Sequence, residues 1–180
     1  TQSLLVGHAT SGTLDAASSN TGVGIDTLDG LTSGDNNTAL GRSAGGNITT
    51  GSENTAIGKY AMLTTSTTTR NTAVGSHALY AVTGTENTAI GVSALDSATG
   101  DVNTAIGFNA GQNITSGSGN VMIGEVDADS ATGDRQLKIA GHDGTTRTTW
   151  ISGESTGNVE VPVNWNPSLS TTGKALVMGF

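Results

Sequence analysis

The chain has 180 residues, a formal net charge of −8, 27 glycines, 3% aromatic residues and no cysteine. Six aromatic side chains (two Trp, two Tyr, two Phe) cannot fill a conventional core of this size, and the lack of cysteine excludes disulfide staples and thiolate metal sites. The acidic balance opposes binding to nucleic acid or anionic lipid, and no run approaches the roughly 18 apolar residues of a membrane helix, so membrane insertion is not expected.

The pattern N-T-A-hydrophobic-G-x-x-A occurs five times, at Asn37 to Ala44, Asn54 to Ala61, Asn71 to Ala78, Asn87 to Ala94 and Asn103 to Ala110. Its glycine extends into a longer series, Gly7, Gly24, Gly41, Gly58, Gly75, Gly91, Gly107, Gly124 and Gly141, with steps of 17, 17, 17, 17, 16, 16, 17 and 17. A near-constant period of this kind signals stacked identical units. The predicted fold is all-β: a parallel β-solenoid or β-roll rod of about nine rungs of 16–17 residues, spanning residues 1–141.

Each rung opens with an Asn (Asn20, Asn37, Asn54, Asn71, Asn87, Asn103, Asn120) followed by a short apolar stretch. Directly before the glycine stand Val6, Val23, Leu40, Ile57, Val74, Ile90, Ile106, Ile123 and Ala140. Two residues earlier come Leu4, Thr21, Thr38, Thr55, Thr72, Thr88, Thr104, Val121 and Lys138. Alternate residues of a strand share a face, so Thr and the β-branched residues point one way while Asn, Ala and Gly point the other. The β-branched column is expected to form the interior. The Ala/Gly face is expected to meet another layer or chain at close range. The Asn column is expected to build an amide ladder between rungs.

Variable pairs follow the glycine (Ile25-Asp26, Arg42-Ser43, Lys59-Tyr60, Ser76-His77, Val92-Ser93, Phe108-Asn109) and imply solvent or a recognition surface. A second small residue comes next, often with Leu28, Met62, Leu79 or Leu95 behind it, and reads as a short second strand. Turns such as Thr50-Gly51-Ser52, Thr83-Gly84-Thr85 and Thr99-Gly100-Asp101 close the rung. Residues 142–180 break the period. Strand-like runs at 146–151, 158–163 and 174–178, with an Asn166-Pro167 turn, predict a small β cap or knob. A coil this thin, with so few large apolar side chains, is expected to need oligomerisation along the rod.

Several residues invite sharper readings. Glu53 and Glu86 occupy one column two rungs apart, as paired carboxylates of a glycan-cleaving spike would, but Arg70 stands between them. An axial Glu–Arg–Glu charge ladder is the better reading, so no catalytic residue and no enzyme activity is expected. His8, His77 and His142 lie too far apart along the rod to share a metal. Asp127, Asp129 and Asp134 match no calcium loop and read as solvated turn acids. Neither metal nor cofactor is expected. The column of Thr38, Thr55, Thr72, Thr88 and Thr104 would suit ice binding only if exposed, and burial beside the β-branched column argues against that. Asn36-Asn37-Thr38, Asn47-Ile48-Thr49 and Asn113-Ile114-Thr115 fit the glycosylation pattern, which a chain this rich in Asn and Thr produces by chance.

The N-T-A-[ILV]-G-x-x-A repeats and T-G-x-x-N turns, from about Ser3 to Gly141, resemble those of bacteriophage fibre proteins, notably of cyanophages. They are also similar to the N-S-x-A-I-G-x-x-A repeat in the head of trimeric autotransporter adhesins, whose rungs are usually shorter. The segment from Ser170 to Phe180 looks like the end of phage structural proteins. The resemblance implies a homotrimeric structural fibre or spike on a virion, as tail fibre or capsid decoration. Partners would be other virion proteins and, in host attachment, a surface glycan or protein. A bacterial surface adhesin head is the alternative.

Overall fold

The computed structural model describes residues 3–6 and 17–161. Nine strands stack in parallel, each on the next in sequence: β1 (Leu4–Val6), β2 (Thr21–Val23), β3 (Thr38–Leu40), β4 (Thr55–Ile57), β5 (Thr72–Val74), β6 (Thr88–Ile90), β7 (Thr104–Ile106), β8 (Val121–Ile123) and β9 (Leu137–His142). β10 (Arg147–Gly153) and β11 (Val159–Glu160) continue the same sheet in antiparallel sense. No helix occurs among the described residues. The architecture is a parallel β-solenoid, with identical columns in register, as in Thr55↔Thr72, Ala56↔Ala73 and Ile57↔Val74.

About seven turns are closed, between β2 and β9, rather than about nine. The expected first turn passes through residues 7–16, outside the described residues. The last fails to form for a reason visible in the register. β8 pairs with β9 as Val121↔Leu137, Met122↔Lys138 and Ile123↔Ile139, a step of 16. Ala140, not Gly141, therefore stands in the glycine column, one residue from the predicted alignment, and such a slip exchanges the two faces. The preceding glycines bend the chain at φ between 98° and 140°, from Gly24 to Gly124. An L-residue avoids that region, so at Ala140 the strand runs straight on to His142 and leaves the coil.

The two faces of each strand are the reverse of the expectation. Ala39, Ala56, Ala73, Ala89 and Ala105 are at most 1% exposed, whereas Leu40 is 49%, Ile90 40% and Ile106 40% exposed. The Ala column is the core. Facing it are Ala44, Ala61, Ala78, Ala94 and Ala110, with Leu28, Leu31, Ile48, Met62, Leu79, Val82, Leu95 and Ile114, all buried. The layer that approaches the Ala/Gly face is thus the far wall of the same coil.

That far wall is not a second strand. It is an irregular segment with alternate residues in the left-handed region: Tyr60 (φ 61°) and Met62 (51°), His77 (59°) and Leu79 (48°), Ser93 (54°) and Leu95 (47°). Its amides bond between rungs in alternating directions, Tyr60 N–H to Arg42 C=O and Met62 N–H to Ala78 C=O. A left-handed Leu or Met costs about 1–2 kcal/mol, a cost offset by burial of its side chain, worth roughly 1.5–3 kcal/mol. Glycine takes the same place twice, at Gly45 and Gly111, and there Ile48 and Ile114 fill the space, their Cδ1 atoms 3.0 and 3.1 Å from where a Cβ would stand.

The amide ladder forms as expected. Asn20, Asn37, Asn54, Asn71, Asn87, Asn103 and Asn120 are buried, and each Oδ1 accepts the backbone N–H of the next. Each Nδ2 in the middle rungs reaches its own closing turn, as Asn54 does to Thr68 C=O and Asn103 to Gly117 C=O. Gln136 ends the series: its N–H bonds Asn120 Oδ1, and its Nε2 bonds the carbonyls of Ser130 and Gly133. The longer side chain reaches two turn carbonyls at once and closes the stack of amides.

Residues 142–161 belong to the hairpin, with Trp150 lying over Gly141. The predicted strands at 146–151 and near 158–163 correspond to β10 and to β11, which is shorter. The predicted run at 174–178 and the Asn166-Pro167 turn lie outside the described residues.

Candidate functional site

Two surfaces carry the side chains that the coil does not use internally. The first is the outer face of the strand stack. Because Ala faces inward, Thr and the β-branched residues face outward in two parallel columns. One is Val6, Val23, Leu40, Ile57, Val74, Ile90, Ile106, Ile123 and Ile139. Beside it run Leu4, Thr21, Thr38, Thr55, Thr72, Thr88, Thr104, Val121 and Leu137. Eight steps of about 4.8 Å make this face roughly 38 Å long, and three-residue strands make it about 10 Å wide. Its area is about 400 Å², roughly half of it aliphatic and half threonine, and continuous surface of this extent with an apolar stripe is often functional. The threonine column, expected buried, is exposed or half-buried. At one end, Trp150, Ile151 and Val161 extend the face around an open apolar hollow beside Ile139.

The second surface is the bend that follows each glycine. The left-handed residues there place Tyr60 and His77 on successive rungs, rings 5.2 Å apart and edge to face. Tyr80 closes on His77 from the other side at 5.4 Å. Lys59 Nζ stands 4.7 Å from the Tyr60 ring centre and Arg42 Cζ 5.8 Å from it. His77 Nδ1 is 2.9 Å from Ser76 Oγ. The variable pairs in the sequence marked this bend as a recognition candidate. Two successive left-handed positions are what bring its rings together, and no periodicity of residue type announces them.

The remaining predicted positions are spread along the rod. Glu53, Arg70 and Glu86 do share one column, since their amides bond successive rungs: Arg70 to Ser52 C=O and Glu86 to Thr69 C=O. Arg70 turns to Glu86, with both Nε and Nη2 on Oε1 at 2.9 and 2.7 Å. The pair is exposed, which limits its worth to under about 1 kcal/mol. His142 contacts Glu125 at the start of the hairpin, far from His77, and His8 lies outside the described residues.

Asp127 accepts from Asn113 N–H, Asp129 pairs with Lys138 and Asp134 accepts from Ser118 N–H, so the three acids serve three separate contacts. Among the described residues no three His, Cys, Asp or Glu side chains are placed to hold a metal. Asn36, the acceptor position of the first glycosylation pattern, is exposed at the corner before the ladder, while its neighbour Asn37 is buried in it. Asp143 has its carboxyl held below the ordinary carboxylate range by the backbone N–H groups of Thr146 and Thr145.

No protein-family profile matches the chain, and neither does any curated protein or solved structure.

Proposed function

We propose that this chain is a structural, non-catalytic fibre or spike protein of a virus particle, working as a homotrimer with its Thr/aliphatic face at the subunit interface. One observation supports the reading most: an outward-facing aliphatic column nine strands long, exposed or half-buried along its length. A face so long, straight and apolar loses free energy in water at about 25 cal/mol per Å² and recovers it when covered by a like face. In a three-fold rod each protomer meets two neighbours along the full length of the stack, and the flat parallel columns leave no gap in the contact. The motif resemblance to phage fibres supplies the virion setting, as tail fibre or capsid decoration, with other virion proteins and a host surface as partners. A bacterial adhesin head would use the same face in the same way. Gene neighbourhood separates the two, through capsid and portal genes or a secretion anchor.

Light scattering on the purified chain tests the reading. About three chain masses are expected at low micromolar concentration. A folded species that remains monomeric at every concentration overturns it. The exposure of the threonine column favours one competing reading, an ice-binding plane, because a regular Thr array on a rigid sheet can order water. A monomer that inhibits ice recrystallisation would establish that function instead. A trimer that covers the face would exclude it.

A further inference from the structure

We infer that the bend patch formed by Arg42, Lys59, Tyr60, His77 and Tyr80 is a binding site for acidic saccharides, those bearing carboxylate or sulfate groups. The inference deepens the attachment role proposed above and rests on it only for the biological source of the sugar.

The first ground is charge. Between Asp35 and Glu86 the chain carries Arg42, Lys59 and Arg70 against a single acid, Glu53, a balance of +2 within a chain of −8. Arg70 and Glu53 stand in the corner column before the Asn ladder, on the opposite edge of the strands from the bend. The cations at the bend are therefore Arg42 and Lys59, both exposed. Both stand against the Tyr60 ring, so guanidinium and ammonium lie within about 10 Å of one another. Two fixed cations at that separation match anionic groups on one sugar or on neighbouring sugars. The rest of the chain is acidic apart from a second basic run at Arg135 and Lys138, so a weak anionic ligand is steered to these two places, and only this one adds aromatic rings.

The second ground is the aromatic side chains. The chain has only two tyrosines, and both are here, flanking His77. None of the three rings is fully buried, and none contributes to the core cluster. A half-exposed ring stack with cations at its edge offers the C–H face of a pyranose an apolar platform while the cations take its charge. The cluster also has a structural effect, since the Arg42–Tyr60 cation–π contact and the Tyr60–His77 ring contact together tie three rungs at the surface. That effect alone would not require both tyrosines on a segment whose charge is inverted; the other such run, Arg135 to Lys138, carries no aromatic ring. A shallow site binds weakly, and three copies on one trimer would raise the avidity for a polymeric sugar without further contacts.

The full chain is titrated against oligogalacturonate, sulphated dextran and neutral dextran, with light scattering on every sample. Binding to at least one acidic polymer, weakened by salt and absent with neutral dextran, is expected. Arg42→Gln with Lys59→Gln should weaken it by about tenfold or more, as losing one strong interfacial contact does. Tyr80→Leu should weaken it without changing charge. Arg135→Gln, an exposed cation five rungs away on another column, should leave it unchanged. Should the double variant prove poorly folded, Lys59→Gln alone gives the same comparison. The inference is overturned if no acidic polymer binds, if neutral dextran binds equally, or if Arg135→Gln matches the double variant. Intact binding with lowered melting temperature in the patch variants would mean a purely structural stack, and would overturn it as well. Loss of the trimer in the parent chain refutes the fibre reading, whatever the sugar result.

Discussion

Replacing Asn71 by Ala removes one member of the amide ladder near mid-rod. Asn71 Oδ1 accepts the Asn87 N–H at 2.9 Å, and Nδ2 donates to Gly84 C=O at 3.0 Å, all of it buried. The substitution therefore strands one buried donor and one buried acceptor. Each stranded group costs about 1–3 kcal/mol, so the expected loss is about 4 kcal/mol per chain, with a small further term for the void. The matched control is Arg70→Ala in the adjacent exposed column, which should cost under about 1 kcal/mol. Denaturant unfolding at fixed protein concentration reads both, because an oligomer's midpoint depends on concentration. The signature is a lower midpoint at unchanged slope. If Asn71→Ala falls within about 0.5 kcal/mol of the parent, the amides do not hold the rungs in register.

Ala89→Asp should abolish folding, because it buries a carboxylate in the core at a cost of several kcal/mol, whereas Ile90→Asp, on the outer face, should leave the coil folded and only dissociate the proposed trimer. Circular dichroism with light scattering checks the pair, and a folded Ala89→Asp beside an unfolded Ile90→Asp would reverse the faces. Gly75→Ala should cost on the order of 3 kcal/mol or more, since φ is +135° and a Cβ would lie 2.4 Å from the Gly91 carbonyl oxygen; thermal melting measures it. Thr68 takes the place of a turn glycine with its hydroxyl buried and unpartnered, so Thr68→Ala should be neutral or stabilising by up to about 1 kcal/mol in the same assay. Asp143 stabilises the β9–β10 turn as a carboxylate, and its depressed pKa means that this help is present above the ordinary carboxylate range and fades as pH falls through the lowered value. Amide exchange at Thr145 and Thr146 should rise in acid relative to the pH trend of other exposed turns, and an unaltered ratio would contradict the assignment.

The solenoid, its register and the Asn ladder were legible in the sequence because each is a one-column property that repeats. The change from 17 to 16 residues disturbs none of them. The missing residue falls between Val82 and Gly84 or between Ala98 and Gly100, where the longer rungs carry two exposed residues such as Thr32 and Ser33. The end of the rod was misread by one residue because Gly141 kept the series of glycines going. Pairing instead follows Gln136, whose amide continues the ladder, and places Ala140 in the glycine column. The bend patch was legible only as variability. Its geometry depends on left-handed backbone at Tyr60 and His77, which neither residue type signals.

The inverted faces have a geometric cause. A rule that large apolar side chains go inside presumes an interior wide enough to hold them. Here the wall opposite each strand lies within reach of an alanine methyl, and its own Leu, Met, Val or Ile side chain already fills the gap. Ile48 and Ile114, present where Gly45 and Gly111 leave space, and the pairs Leu28 with Leu31 and Leu79 with Val82 show that the far wall already supplies one or two large side chains per rung. A second β-branched column inside would overpack it, at about 1–3 kcal/mol per site. The column must then face outward, and a nine-strand aliphatic row on the outside is unfavourable in water unless something covers it. The thinness of the coil and the proposed need for partner chains thus have one cause: a 16–17-residue rung can bury its alanines and one or two large residues, and leaves its outer β-branched residue to be covered by a neighbour in the proposed assembly.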